Sequence, residues 1–190
     1  MVQWAIIIVV SSSVYHLPNH RIYINNQKNQ RVNMQTVSIF VDVQNIYYTT
    51  RQTFNRNFDY NRFWSLATEN RKVTKAIAYA VDRGDKKQQE FQNILRAIGF
   101  EVKLKPFIQR SDGSAKGDWD VGIALDAIES AAVSDTVILV TGDGDFDILA
   151  ERIRKNHSCA VEVYGVEKLT AASLIKAATR FVPVESGLLL

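Results

Sequence analysis

Asp143, Asp145 and Asp147 stand at every second position after the run Val137-Ile138-Leu139-Val140-Thr141-Gly142. Clustered carboxylates hold hard divalent cations, which take oxygen ligands and bring phosphate groups with them. Four consecutive apolar residues ahead of the Thr-Gly turn read as a buried strand. The carboxylates therefore sit at that strand's carboxyl end. Residues 37–42, Val-Ser-Ile-Phe-Val-Asp, behave the same way, ending at Asp42 with Asn45 three residues on. Two buried strands that each deliver an Asp to their carboxyl end predict a metal-dependent phosphoryl-transfer site. Open α/β sheets bind ligands in the crevice outside those ends.

The full set of candidate ligands is Asp42, Asp118, Asp120, Asp126, Asp143, Asp145 and Asp147. If the strands bearing Asp42 and Asp143 are neighbours, the two carboxylates face each other and repel unless a cation lies between them. Mg²⁺ or Mn²⁺ suits such a donor set. Asp120 opens a helix, where a carboxylate also suits the positive dipole end. Asp145 reads equally well as the cap of the helix that follows. Asp42 has a weaker structural reason to be where it is.

Other chemistries fit less well. A calcium loop starting at Asp143 needs Gly at position 6 and Glu at position 12. Ile148 and Arg154 stand there instead. No dinucleotide fingerprint, Walker motif or Gly-x-Ser-x-Gly elbow is present, and Cys159 has only His157 near it in sequence. Nucleophilic catalysis is therefore disfavoured. A phosphatase of the Asp-x-Asp type is excluded by Val43-Gln44 after Asp42. A Toprim-like site wants a Glu soon after the first strand, and none occurs before Glu69.

The elements that must position these groups alternate. Strands are expected at 37–42, 73–81, 101–105, 136–141, 160–164 and 181–184. Helices are expected at 44–54, 60–70, 86–98, 119–132, 146–156 and 169–179. Phe91, Ile94, Leu95 and Ile98 fall at helical spacing on 86–98. Asp85 reads as that helix's cap, with Gln88 as its capping-box partner, and Gly99 as its end. Residues 109–117 read as a polar loop. Strands alternating with helices give an α/β fold whose mostly parallel sheet is covered on both faces.

Bulk composition narrows the partners. The chain has 190 residues and is 46% hydrophobic, enough for one well-buried core. One cysteine excludes a disulfide framework and a cysteine-rich zinc site, and fits a reducing, cytoplasmic setting. Of the 23 basic residues, Arg21, Lys28 and Arg31 lie in residues 1–33, which carry no acid. That leaves 20 basic residues against 20 acidic ones. The remainder is neutral, so the overall +3 charge is no argument for nucleic acid. Residues 5–10 are apolar for too short a run to span a bilayer. Residues 1–33 are aperiodic and rich in Asn and Gln. We expect them to stand outside the fold, disordered or upstream of a true start at Met34, with the domain at 34–190.

The residues also resemble a known family. VSIFVDVQNIYY is similar to the first strand motif of NYN domains of the LabA-like, PIN-like nuclease family. AKGDWDVGIALDAI is similar to that family's Lys-Gly-Asp helix motif, and VILVTGDGDFDIL to its fourth-strand motif. AVDRGDKKQQEFQNILRAIGFEVKL and VEVYGVEKLTAASLIKAATRFVPV fit its spacing, so the resemblance covers about residues 36–186. It implies a PIN-like, Rossmann-like doubly wound sheet of order 3-2-1-4-5. It also implies a Mg²⁺-dependent ribonuclease-type site with Asp42, Asp120, Asp143 and Asp145 as the acidic cluster. Asn45 would then orient substrate or a ligand. The family usually has one residue between the motif glycine and aspartate. Gly117 is followed here by Asp118-Trp119-Asp120, and we align Asp120 with the family aspartate. Asp118 is left as a supporting group or a helix cap.

The function expected is Mg²⁺- or Mn²⁺-dependent hydrolysis of RNA phosphodiester bonds, with Asp42, Asp120, Asp143 and Asp145 as metal ligands. Asn45, Lys116 and Thr141 are the candidate substrate contacts. Tyr47, Tyr48 and Trp119 are candidates for base stacking, although packing is the commoner fate of such residues. The rival is a non-catalytic RNA- or protein-binding regulator on the same scaffold. A pure binder of anions gains nothing from clustered carboxylates. RNA is the expected partner, no membrane association is expected, and homodimerisation is left open.

Overall fold

A computed structural model describes residues 34–190 apart from Arg83, Phe107, residues 110–114 and Gly117. At 108–109 and 115–116 the backbone alone is described. The expectation for residues 1–33 lies outside the described residues.

Six strands form one sheet: β1 (Gln35–Asp42), β2 (Arg71–Asp82), β3 (Glu101–Pro106), β6 (Thr136–Val140), β7 (Ala160–Gly165) and β8 (Arg180–Pro183). Their order is β3-β2-β1-β6-β7-β8, and every pairing is parallel. The expected order thus holds for its five strands, and the short last strand adds a sixth at the edge beyond β7. A small antiparallel ribbon, β4 (Ile108–Gln109) with β5 (Ala115–Lys116), replaces the expected polar loop.

The helices are α1 (Val43–Phe54), α2 (Tyr60–Ala67), α3 (Lys86–Ile98), α4 (Asp120–Ala131), α5 (Asp147–Asn156) and α6 (Ala172–Ala177). Alternation along the strands sorts the core into two layers. Val37, Ile39, Val41, Ile138 and Val140 pack with α1, α2 and α3. Phe40, Val137 and Leu139 pack with α4, α5 and α6. The chain winds outward from β1 through β2 to β3, then returns to β6 and winds the other way. The reversal lies between β1 and β6, where Val41 pairs with Val140.

Two helices are shorter than expected. The second stops at Ala67, and residues 68–70 turn into β2, with Asn70 at φ 55° in the left-handed region. The last starts only at Ala172. Ahead of it, Glu167–Leu169 form a single 3-10 turn and Thr170 is extended. Ala171 N–H donates to the Gly142 carbonyl at 2.9 Å. That long-range bond, which helical periodicity cannot report, draws the segment away from helix and onto the turn after β6. No described helix is long and apolar enough to cross a membrane.

Candidate metal centre

The acidic groups gather where β1 and β6 end and α4 begins. One carboxylate oxygen from each of Asp120, Asp143 and Asp145 lies within 4.8 Å of the other two. Asp143 follows the buried strand β6 and accepts the Asp145 N–H at 3.0 Å, which curls the chain into a 3-10 turn. Asp120 stands in the first turn of α4, on a separate stretch of chain. Neither Asp120 nor Asp145 is used as a helix cap. Trp119 and Phe146 occupy the cap positions of α4 and α5 without side-chain cap bonds. Of the two readings open for Asp145, the cap of α5 does not hold, and its carboxylate is exposed at the cluster.

Asp42 lies beside this trio and not within it. Its Oδ1 accepts the Asn45 N–H at 3.0 Å and caps α1, a structural role the sequence did not suggest. Burial raises its carboxyl pKa to about 6, and the charges of Asp120 and Asp143 add to the effect. Asp120 is also raised, first by burial and then by Asp118, Asp143 and Asp145, with Lys105 opposing. The fold thus links Asp42, Asp143 and Asp145 electrostatically through Asp120 at a buried strand end. Such a cluster is relieved by protonation or by a cation. Three oxygen donors this close match the all-oxygen coordination of Mg²⁺ or Mn²⁺.

Asn45 works across the switch point. Its Oδ1 accepts the Gly142 N–H at 2.9 Å, tying α1 to the turn that carries Asp143. Thr141 is buried, and its Oγ1 accepts the Asp143 N–H at 3.2 Å. Both groups hold the turn. Gly142 is there for space, since a Cβ would lie 2.8 Å from the Leu169 carbonyl oxygen.

The remaining candidates divide. Asp126 is drawn into another network, accepting from Tyr79 Oη at 2.6 Å and Lys103 Nζ at 2.7 Å, with Lys75 Nζ at 3.4 Å. Burial opposes its charge, but these partners prevail and hold its pKa below the usual range. Asp147 begins α5, outside the trio. Asp118 is exposed, does not occupy the cap position of α4, and raises the pKa of Asp120 through its charge. Lys116 falls in β5, where its backbone alone is described. Trp119 packs rather than presenting a free face. Its Nε1 donates to the Ala80 carbonyl at 2.9 Å, its ring lies against Tyr79, and it covers Gly122. Lys105 completes this corner, donating to the Asp118 carbonyl at 2.7 Å with its Nζ 4.3 Å from the Trp119 ring centroid. Sequence spacing gave no sign of that pairing. Tyr47 and Tyr48 are about half exposed.

Comparison with known proteins agrees with this geometry. A crystal structure of a protein of unknown function from Vibrio parahaemolyticus RIMD 2210633 superposes with a TM-score of 0.81 at 55% identity. It covers 85% of this chain and 99% of that one. The low amplitude and bright protein LabA of Synechococcus elongatus is 25% identical over 154 residues, covering 77% of this chain and 82% of that protein. The NYN domain profile matches residues 36–185, nearly the whole described fold. A PIN-like doubly wound sheet with an acidic cluster at its switch point, matched over that length, places this chain in the NYN domain family.

Proposed function

We propose that the carboxylate cluster hydrolyses RNA phosphodiester bonds with Mg²⁺ or Mn²⁺ as cofactor. The observation that carries this reading is the convergence of Asp120, Asp143 and Asp145 within 4.8 Å, from two separate elements. Asp120, Asp143 and Asp145 would hold the cation, with Asp42 at its flank. When bound, the cation lowers the pKa of a coordinated water and offsets charge on the phosphate oxygens.

The chain's own groups have defined parts. Asp42, at the flank of the trio, would be placed to accept a proton beside the bound cation. Asn45 and Thr141 keep the Asp143 turn in place, which is a positioning role. Lys116, four residues before Asp120, is proposed to neutralise a substrate phosphate. Burial on the β1 and β6 side is greatest at Asp42 and strengthens its charge interactions with Asp120 and Asp143. The neutral charge of the domain argues for modest RNA affinity, because phosphate neutralisation supplies most non-specific binding.

The test is a cleavage assay on mixed RNA and DNA substrates with and without Mg²⁺ or Mn²⁺, using Asp143→Asn as control. We expect metal-dependent cleavage of RNA, and a loss of at least ~10²-fold in the variant, the scale for removing a group that stabilises transition-state charge. A wild-type chain that cleaves nothing, yet binds RNA or a protein equally well with or without Asp143→Asn, would establish the regulator reading instead.

A further inference from the structure

Next to the acidic cluster lies a cleft of a different character. It opens between α1, α2 and α3 at the carboxyl ends of β1 and β2, and encloses 540 Å³. That volume falls within the about 300–1,000 Å³ typical of small-ligand sites. Its apolar walls are Tyr47, Phe58, Tyr60, Val81, Phe91 and Ile94. The inner rings are fixed edge to face, Tyr60 against Phe58 at 5.0 Å and against Phe91 at 5.4 Å. Tyr47 and Ile94 at the mouth remain 49% and 53% exposed. Amide side chains of Gln44, Asn61 and Gln92 interrupt the apolar lining.

The cleft and the cluster share an edge. Val43 and Gln44 in its wall directly follow Asp42. Tyr60 in its floor feels the Asp42 carboxylate, whose charge adds to burial in raising the tyrosine's pKa. The two sites nevertheless want opposite things. Among the described residues the lining carries Asp59 and Asp85, both capping helices through Oδ1 at 2.9 Å, and one basic residue, Lys87. The described lining offers a phosphate no cationic cradle. A flat, uncharged group with hydrogen-bonding edges does fit, since aromatic faces stack on any base and amides can meet its edge.

We propose that this cleft takes one unpaired nucleobase of an RNA strand whose adjacent phosphate lies at the carboxylate cluster. The proposal rests on the hydrolase reading for the position of that phosphate. It deepens that reading by naming the substrate class. A paired base is stacked within its duplex and cannot enter a cleft, so the strand is single-stranded at this point. The cleft holds the strand by a base while the carboxylates handle the phosphate. This resolves how a neutral domain with an acidic site retains an anionic polymer.

The test uses the full chain carrying Asp143→Asn, in Mg²⁺, so that binding is read without turnover. Fluorescence anisotropy measures affinity for a short labelled single-stranded oligoribonucleotide and for a series in which one abasic residue is moved along it. We expect one position to dominate, with affinity falling roughly five- to hundred-fold when that base is missing, the range for losing one stacked base. Adding Tyr47→Ala should cause a comparable loss on the intact strand and little further loss on the strand lacking that base. Tyr47→Phe should bind as the parent does. Thermal melts of each variant confirm folding. No positional effect, equal losses for Tyr47→Ala on intact and abasic strands, or no nucleic-acid binding at all would overturn the proposal. The Asp143-containing chain is assayed for cleavage on the same series. Cleavage without positional dependence removes the base cleft and leaves the hydrolase. Positional binding without cleavage retains the cleft and removes the hydrolase.

Discussion

Replacing Asp42 by Asn should stabilise the metal-free protein, and the gain should grow with pH. The Asp42 carboxyl is raised from its usual 3.8 to about 6, mainly by burial and then by Asp120 and Asp143. Asn keeps an oxygen that accepts the Asn45 N–H, so the cap of α1 survives. What the substitution removes is the charge. The raised pKa means that the folded state favours protonated Asp42. That contribution is fully present below the unfolded value of 3.8 and is lost as pH rises through about 6. At about 1.36 kcal/mol per pH unit, the ionised carboxylate costs up to about 3 kcal/mol above that window. For a domain of this size that is roughly 6–12 °C in Tm. Thermal unfolding in EDTA should therefore show Asp42→Asn melting several degrees above wild type at about pH 8, and level with it near pH 4. Adding Mg²⁺ at the higher pH should raise the wild type more than the variant, because a cation offsets the same repulsion. A variant that is less stable at high pH, or a gain that does not change with pH, would refute a strained carboxylate cluster.

Other expectations follow from single contacts. Asn45→Ala removes the acceptor of the Gly142 N–H. It should cost about 1–3 kcal/mol by urea denaturation, together with a fall in metal affinity by calorimetry. Gly142→Ala would place a Cβ 2.8 Å from the Leu169 carbonyl oxygen, so the Asp143 turn must shift. Cleavage should drop by about 10²-fold, while the circular dichroism spectrum stays that of the folded domain. Arg71→Ala strands the buried Glu162, which accepts from Arg71 Nη1 at 3.0 Å and Nη2 at 2.8 Å. With Arg180 3.9 Å away as a partial substitute, the loss should reach about 3 kcal/mol in chemical denaturation, the lower end for breaking a buried pair.

Short-range pattern determined the scaffold of this protein. Near-continuous apolar runs at 37–42 and 136–141 became the central strands β1 and β6, since a strand covered on both faces feeds both core layers. Their Asp endings pointed to the edge of the sheet that bears the acidic cluster. Asp85 caps α3 as its position before Lys86 suggested, because a cap bond spans only three residues. Tertiary structure alone decided which carboxylates meet. Asp120 and Asp126 lie on the same helix, yet the packing of α4 sends one to Asp143 and Asp145 and the other to Tyr79, Lys75 and Lys103. The clamp between Asn45 and Gly142 joins residues 97 apart, and the bond from Ala171 to Gly142 overrides the helical pattern ahead of α6. Propensity and periodicity report the few residues that neighbour one another along the chain. The carboxylate cluster and the aromatic cleft are made where the sheet's strand order brings distant segments together.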